Sequence, residues 1–325
     1  MKRRMATLAI ASLCAMAFSG AQAAAGADGY PSRPVKIVVG FQAGGPTDVA
    51  ARLVARALSE ALKGSFIVEN KPGATSNIAS ESVANAAPDG YTLLFAASPL
   101  TMNRYVFPQQ RFDALKSFEP ISKVSEAPGV LALSPKSPAK NWQEFEALAK
   151  KKADGLSYGS TGQGGTQHMA MLRLEELTGI KMVHVPYGGT TGVMNDLMGG
   201  NIDVAFMTSM GAMPNLIAGK VRPIAVAGPA RLPGLPQVPT FAELGLAQMK
   251  SSSWNALLAP AGTPRPIVDR LAAAVQKAVH NKAFEDALVP QGSVLIGNSP
   301  QEFSKELQEE TAYWAQQFKK ANIGS

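Results

Sequence analysis

Three glycine-rich segments contain the residues of this chain that are best suited to holding a small anion. The first is Gly44-Gly45-Pro46-Thr47-Asp48, which follows a β-branched run and precedes a helical pattern. A strand that turns tightly into a helix leaves the first N–H groups of that helix free to bind an anion. An ordinary strand-to-helix turn would carry the same residue types, because glycine permits the turn and Thr47 or Asp48 caps the helix. Both interpretations are open from the sequence.

The second segment, residues 157–168, has the sequence SYGSTGQGGTQH. Gly159 and Thr166 fit the two ends of a phosphate-binding loop, but Gly165 stands where that loop requires lysine. This difference excludes nucleotide hydrolysis and leaves a cradle of backbone amides and hydroxyl groups, which suits a carboxylate. A purely structural loop is the alternative. His168, at the start of the next helix, could donate to a ligand or be a surface polar residue.

The third segment, residues 185–191, again leads from a strand through glycines into a helix. Further along, Asp203 precedes an apolar strand and is interpreted as a turn residue, whereas Thr208 and Ser209 at the far end could reach a cleft. Sheets of α/β proteins bind ligands outside the carboxyl ends of their strands. The three segments are therefore predicted to converge on one cleft.

The alternation of short β-rich runs with helical patterns predicts parallel α/β layers. Strands are predicted at residues 35–39, 66–68, 92–96, 130–134, 157–159, 182–185, 204–207 and 224–227. Helices are predicted at residues 47–62, 142–152, 166–178, 193–198, 267–280 and 300–320.

Two segments predict crossings between domains. One is the extended run 121–134, which is interrupted at 126–129, and the other is the proline- and glycine-rich stretch 228–245 with the run that follows it. They predict a second domain, residues 127–248, inserted into a discontinuous first domain, residues 24–126 plus 249–325. Such a chain can close around a ligand by hinge motion.

The N-terminal residues 1–23 have the three parts of a secretory signal: a basic start, an apolar middle and an A-x-A site, with cleavage predicted after Ala23. The apolar run is shorter than the ~20 residues that span a bilayer. The protein is therefore predicted to be exported to the periplasm and not embedded in the membrane.

Several classes of function are excluded by what the sequence contains. Cys14 is the only cysteine and belongs to the signal, so the mature chain has no disulfide or cysteine-ligated metal. The three histidines form no zinc motif, and no G-x-S-x-G nucleophile elbow is present. The net charge of +7 is not gathered into a basic block with aromatics, which argues against nucleic acid. The sequence thus predicts no catalytic residue, no metal and no cofactor.

An ordered set of short motifs extends over the mature chain. These are YPSRPVKIVV from Tyr30, FQAGGPTDVAAR from Phe41, VENKPGA from Val68, APDGYTLL from Ala87, YGSTG from Tyr158, HVPYG from His184, DLMGG from Asp196 and APAGTP from Ala259. Each motif is weak alone, but in this order the chain resembles the periplasmic solute receptors of the tripartite tricarboxylate transporter class, the Bug or TctC family.

This resemblance implies a type II periplasmic binding protein: two α/β domains joined by a two-strand hinge, with a ligand cleft between them. It implies a small organic carboxylate as ligand and two membrane subunits of a tripartite transporter as partners. Together with the glycine loops it predicts these ligand-binding residues: Phe41, Ala43, Gly44, Gly45, Thr47, Asp48, Ala97, Ser98, Ser160, Thr161, Gly164, Gly165, Thr166, His168, Tyr187, Gly188, Thr190 and Thr208.

The chain departs from the family pattern at three places near the expected cleft. Thr166 stands where relatives often have serine, which keeps a hydroxyl at that position. Gly188 replaces a frequent lysine, and Thr208 and Ser209 stand where many relatives carry an acidic or amide residue. An ammonium group on a ligand would have no carboxylate partner there. The departures therefore favour a plain organic acid over an amino acid.

The predicted function is that of an exported receptor that binds an organic carboxylate and delivers it to a membrane transporter. One alternative is a sensory receptor that presents its liganded form to a signalling protein. Another is a periplasmic hydrolase that would use His168 with Ser160 or Asp48, which requires a nucleophile and a base within hydrogen-bond reach.

Overall fold

The structure, a computed structural model, describes residues 29–152 and 154–320. The predicted signal, residues 1–23, lies outside the described residues. The strands are β1 Val35–Val39, β2 Phe66–Asn70, β3 Thr92–Ala97, β4 Phe118–Leu133, β5 Leu156–Ser160, β6 Met182–Pro186, β7 Val204–Thr208, β8 Arg222–Val226, β9 Ser252–Pro260 and β10 Val294–Leu295. The helices are α1 Pro46–Leu62, α2 Asn77–Ala84, α3 Pro99–Val106, α4 Trp142–Lys151, α5 Thr166–Thr178, α6 Thr190–Gly199, α7 Ser209–Ile217, α8 Arg265–Val279, α9 Lys282–Leu288 and α10 Pro300–Lys320.

The strands form a mixed sheet in the order β2-β1-β3-β9-β4-β7-β5-β6, and β8 and β10 also pair with β4. At one end β1 pairs in parallel with β2 and β3, and at the other end β5 pairs in parallel with β6 and β7. Antiparallel pairs of β9 and β4 lie between the two parallel sets. The predicted parallel α/β layers are confirmed, and the carboxyl ends of the parallel strands carry the loops of interest.

Strand β4 links the two parallel sets as one continuous element. Its first part pairs with β9 as far as Pro128, and its last part, from Gly129, pairs with β7. The predicted interruption at 126–129 is wrong, since the fixed φ of proline is compatible with an extended backbone. Gly129 is required at this point, because a Cβ there would lie 1.9 Å from Cε1 of Phe206. The domain boundaries remain a prediction.

The apolar residues of the parallel strands face helices on both sides of the sheet. Val35, Ile37 and Val39 are fully buried in a cluster with residues of α1 and α8, while Val38 faces a second cluster with Leu94. Parallel strands covered on both faces read as continuous apolar runs, as β1 does. Along the described residues, no helix is long and apolar enough to cross a bilayer.

Four short helices were not predicted from the sequence: α2, α3, α7 and α9. Each has seven to nine residues, which is too few turns for a clear apolar period. In α7, Pro214 lies inside the helix, where proline in a sequence normally indicates the end of a helix. Of these four, α3 matters most for function, because it forms one wall of the cavity described next.

Candidate functional site

A cavity of about 340 Å³ lies at the carboxyl ends of the parallel strands. Its walls come from the segments that follow β1, β3 and β5 and from the end of β7, so both parallel sets contribute. The lining residues are Phe41, Thr47, Thr75, Ala97, Pro99, Met102, Asn103, Val106, Phe107, Thr161, Gln163, Gly164, Gly165, Thr166, Gln167, Thr208 and Ser253. The predicted convergence of the glycine loops therefore holds for two of the three loops.

Four helices direct their N-termini at this cavity: α1, α3, α5 and α7. Their N-cap residues are Gly45, Ser98, Gly165 and Thr208, and none of the four makes a side-chain capping hydrogen bond. The first N–H groups of an α-helix have no partner within the helix. The cavity is thus bordered by several uncapped, positively polarised helix ends.

Two of the helices that begin away from the cavity have a side-chain cap at the N-terminus. The Asn141 side chain caps α4 by accepting from Glu144 N, and the Asn281 side chain caps α9 by accepting from Phe284 N. Replacing such a capping residue by alanine lowers stability by about 1 kcal/mol. The N-termini of α6 and α8, away from the cavity, are also uncapped. It is the gathering of four such ends around one cavity that suits an external anion.

Among the residues that the structure describes, no charged side chain lines the cavity. The lining residues with polar side chains are threonines, glutamines, Asn103 and Ser253, all neutral. Among the described residues no cluster of three or more potential metal ligands occurs. An anion held here would be neutralised by N–H groups and hydroxyls rather than by lysine, arginine or a metal.

Asp48 shapes the first glycine turn from beneath. Its carboxylate, only 2% exposed, accepts hydrogen bonds from Gly44 N (2.9 Å), Arg52 Nε (2.8 Å) and Asn70 Nδ2 (2.9 Å). Burial alone would raise its pKa, but the hydrogen bonds from Arg52, Gly44 and Asn70 outweigh burial and hold the pKa below its ordinary value. Asp48 does not line the cavity, so the structure gives it a role in positioning the turn.

The second glycine loop is held by two stacked histidines. Gly164 N donates to Nδ1 of His168 (2.9 Å), and the His168 ring stacks on His184 at 4.1 Å between centroids. Burial, together with the charge of His184, lowers the pKa of His168 to about 4. His168 is therefore neutral at pH 7 and accepts at Nδ1. The expectation of a surface polar residue is wrong, because His168 is 6% exposed.

Three hydroxyls expected near a ligand have partners inside the protein. Ser98 Oγ donates to Ser253 Oγ (3.0 Å), Ser160 Oγ lies 2.6 Å from His184 Nε2, and Ser209 Oγ donates to Gly292 O (2.7 Å). All three serines are buried and lie outside the cavity lining. Ser253, bonded to Ser98, lines the cavity in its place.

The third glycine loop does not reach the cavity. The Tyr187 hydroxyl donates to Asp196 Oδ2 (2.6 Å), which holds the Tyr187 side chain against the following helix, α6. Gly188 and Thr190 also lie outside the lining. Tyr187 packs close to Gly159 of β5 and Gly192 of α6. This loop therefore positions β5 and α6 relative to each other.

The structure brings together eight of the predicted site residues in the cavity wall: Phe41, Thr47, Ala97, Thr161, Gly164, Gly165, Thr166 and Thr208. The other ten lie outside that wall: Ala43, Gly44, Gly45, Asp48, Ser98, Ser160, His168, Tyr187, Gly188 and Thr190. Which of these residues contact a ligand stays a prediction.

The sequence interpretation missed nine lining residues: Thr75, Pro99, Met102, Asn103, Val106, Phe107, Gln163, Gln167 and Ser253. Five of them belong to α3 and its C-terminal end, at positions 99, 102, 103, 106 and 107. This spacing places them on one face of a helix. This helical spacing could have identified them from the sequence, but the predicted site in this segment included only Ala97 and Ser98.

Residues 74–76 form a strained segment beside the cavity. Ala74, Thr75 and Ser76 have φ of 44°, 51° and 76°, in the left-handed region that costs a non-glycine residue about 1 kcal/mol or more. Asn103 holds the segment through a hydrogen bond from Nδ2 to Thr75 O (2.8 Å). Gly40 allows Ser76 to approach, since a Cβ there would lie 1.9 Å from Ser76 Oγ.

Comparison with known proteins agrees with this geometry. A family model described as "Tripartite tricarboxylate transporter family receptor" matches residues 50–323. Protein BugT of Bordetella pertussis is 30% identical over 302 residues, which cover 92% of this chain and 93% of BugT.

Two solved structures from Rhodopseudomonas palustris are also similar. Rpa4515 with adipate is 32% identical, with a TM-score of 0.78 over 91% of this chain and 99% of that chain. MatC (Rpa3494) with bound malate is 31% identical, with a TM-score of 0.72 over 89% and 99%.

The fold is that of a type II periplasmic solute-binding protein. The chain belongs to the tripartite tricarboxylate transporter receptor family, the TctC or Bug family.

Proposed function

We propose that this protein is a periplasmic receptor that binds a small organic carboxylate in the 340 Å³ cavity and delivers it to the membrane subunits of a tripartite transporter. The observation that carries the proposal is the convergence of four uncapped helix N-termini on a cavity without charged side chains. Backbone N–H groups at helix N-termini bind carboxylates through charge-assisted hydrogen bonds.

Relatives of this chain support a carboxylate as the ligand. Rpa4515 has been solved with adipate and MatC with malate, and both share about a third of their residues with this chain over nearly its full length. Family membership supports the transporter as the partner and the periplasm as the location.

The ligand is proposed to act by favouring a closed arrangement of the two predicted domains. Thr47 at the start of α1 belongs to the first predicted domain, and Gly165 and Thr166 at the start of α5 belong to the second. A ligand that contacts both sets only when they are close together shifts the population toward the closed state. The membrane subunits would then recognise that state.

The hydrolase alternative is not favoured by the arrangement of its proposed residues. Ser160 Oγ does lie within hydrogen-bond distance of a histidine, His184, at 2.6 Å. However, Ser160 is 1% exposed and does not line the cavity. A nucleophile must reach the substrate, so this pair is better explained as an internal support of the glycine loop.

The test is calorimetric titration with a panel of mono-, di- and tricarboxylates, on the native protein and on Gly165→Val. Gly165 lines the cavity with φ −70° and ψ 164°, values open to any residue, so valine places bulk beside the α5 N-terminus without backbone strain. Affinity is expected to fall by about 100-fold, because the valine side chain keeps the carboxylate away from the N–H groups of the α5 N-terminus.

Gly199→Val is the matched control, because Gly199 is exposed at the end of α6, away from the cavity. It is expected to bind as the native protein does. Failure of every carboxylate to bind the native protein, or equal binding by Gly165→Val, contradicts the proposal. Uptake of the acid by cells that carry the receptor, but not by cells lacking it, tests the transporter partner.

A further inference from the structure

Helix α3 presents a single face to the cavity. Its contributing residues are Pro99, Met102, Asn103, Val106 and Phe107, which span about 12 Å of helix at 1.5 Å per residue. Four of these five side chains are apolar. The wall formed by α3 is thus unlike the opposite wall, which is built from threonines, glutamines and glycines.

The one polar side chain of this wall has no hydrogen to give a ligand. Asn103 is 3% exposed, and Nδ2 donates both of its hydrogens, to Thr75 O (2.8 Å) and to Asn77 Oδ1 (2.8 Å). The carbonyl of Thr75 can only accept, so the amide orientation of Asn103 is fixed. The oxygen of Asn103 is left as an acceptor, and an acceptor disfavours a carboxylate.

The outer end of the α3 wall is open to solvent. Val106 is 41% exposed and Phe107 is half-buried, so apolar surface is accessible where the helix ends. Covering this apolar surface with the hydrocarbon part of a ligand would lower the free energy of the complex.

We infer that the ligand carries one carboxylate and an apolar body of aliphatic or aromatic carbon, rather than a second carboxylate. The carboxylate is held by the N-termini of α1 and α5, and the body lies along the α3 face. A second carboxylate there would lose its water beside four apolar side chains and an amide whose two hydrogens are already bonded, with no cation among the lining residues. This inference deepens the proposed function and rests on it.

Hexanoate and adipate form the test pair, since they have the same six-carbon chain and differ by one carboxylate. In calorimetric titration at pH 7, hexanoate is expected to bind at least about tenfold more tightly than adipate. Across butanoate, pentanoate and hexanoate, each added methylene is expected to improve binding by up to about fourfold. Benzoate and terephthalate repeat the comparison with a ring as the body.

Val106→Lys supplies the missing cation at the open end of the wall, where the exposed side chain permits the change. It is expected to strengthen adipate binding by about tenfold and to reduce or reverse the preference for hexanoate. Leu115→Lys is the control, because Leu115 is 40% exposed and lies outside the cavity lining. It adds the same charge and should leave both affinities unchanged.

The outcomes separate this inference from the proposed function. Tighter or equal binding of adipate by the native protein overturns the single-carboxylate inference and leaves the carboxylate receptor intact. An unchanged preference in a folded Val106→Lys protein overturns the place assigned to the body of the ligand. Binding of no acid at all overturns both proposals.

Discussion

Replacing Asp48 by alanine should destabilise the protein and weaken ligand binding together. The buried carboxylate accepts from Gly44 N, Arg52 Nε and Asn70 Nδ2, and it is the group that ties the first glycine turn to helix α1 and strand β2. Without it, the turn loses the hydrogen bond that positions Gly44, which lies two residues before the start of α1 at Pro46. The cavity residue Thr47 lies next to the altered position.

The expected magnitude follows from the partners that alanine would leave behind. The Gly44 N–H and the Asn70 amide lose a buried acceptor, at about 1–3 kcal/mol each, so the free energy of unfolding should fall by about 2–5 kcal/mol. Arg52 adds little to this loss, because its side chain is 54% exposed and can return to water. Carboxylate affinity should fall by about tenfold or more as the α1 N-terminus shifts.

The assay is urea unfolding and calorimetric titration of the variant beside Glu60→Gln. Glu60 forms an equivalent i,i+4 pair with Arg56 on the same helix (2.9 Å), but both side chains are exposed, at 67% and 78%. Its loss should change stability by less than about 0.5 kcal/mol. If Asp48→Ala behaves like Glu60→Gln in both measurements, the turn does not depend on the buried carboxylate.

The pH dependence of this effect has a defined sign. The pKa of Asp48 is lowered in the folded protein. Its stabilisation is therefore present above the ordinary pKa of about 3.9 and is lost as the pH falls through the lower folded value. The difference in stability between the native protein and Asp48→Ala should be the same at pH 7 and pH 5.

Two further predictions concern residues behind the cavity. The pKa of His168 is lowered from 6.5 to about 4, so the stability that this residue contributes is present above about pH 6.5 and is lost as the pH falls from there to about 4. Between pH 7 and pH 5, the melting temperature of His168→Gln should therefore fall less than that of the native protein. An equal fall in melting temperature would contradict this prediction. Phe318 is buried in a cluster with Met102, Met169 and Trp314 that joins α10 to α3 and α5. Phe318→Ala should lower the free energy of unfolding by about 3 kcal/mol, whereas the control Ile217→Ala, whose side chain is 60% exposed, should lower it by less than about 0.5 kcal/mol. Similar losses in the two variants would refute the packing role of Phe318.

Long amphipathic helices and apolar strands were predicted well from the sequence. The predicted helices 166–178 and 300–320 coincide with α5 and α10, and the predicted strand 35–39 coincides with β1. Their periods extend over enough residues to be recognised locally. The eight residues of α3 span barely two turns, so their face could be recognised only once the cavity was known.

The direction of individual side chains could not be predicted in the same way. Asp48 and His168 stand in the glycine loops as the expected ligand residues do, yet both turn inward and hold backbone N–H groups. Nothing in the local sequence distinguishes a carboxylate or imidazole that faces a cleft from one that supports the loop from behind.

The sequence by itself determined the α/β fold, the family and the places where helix N-termini follow parallel strands, because turn geometry and apolar period are properties of short segments. Tertiary structure alone decided what those helix ends surround. The wall of α3, with Asn103 bonded to Thr75 and Asn77, depends on residues 26 to 28 positions apart in the chain. Hydrogen bonds over such separations form only when packing brings the segments together, and they decide which donors are left for a ligand.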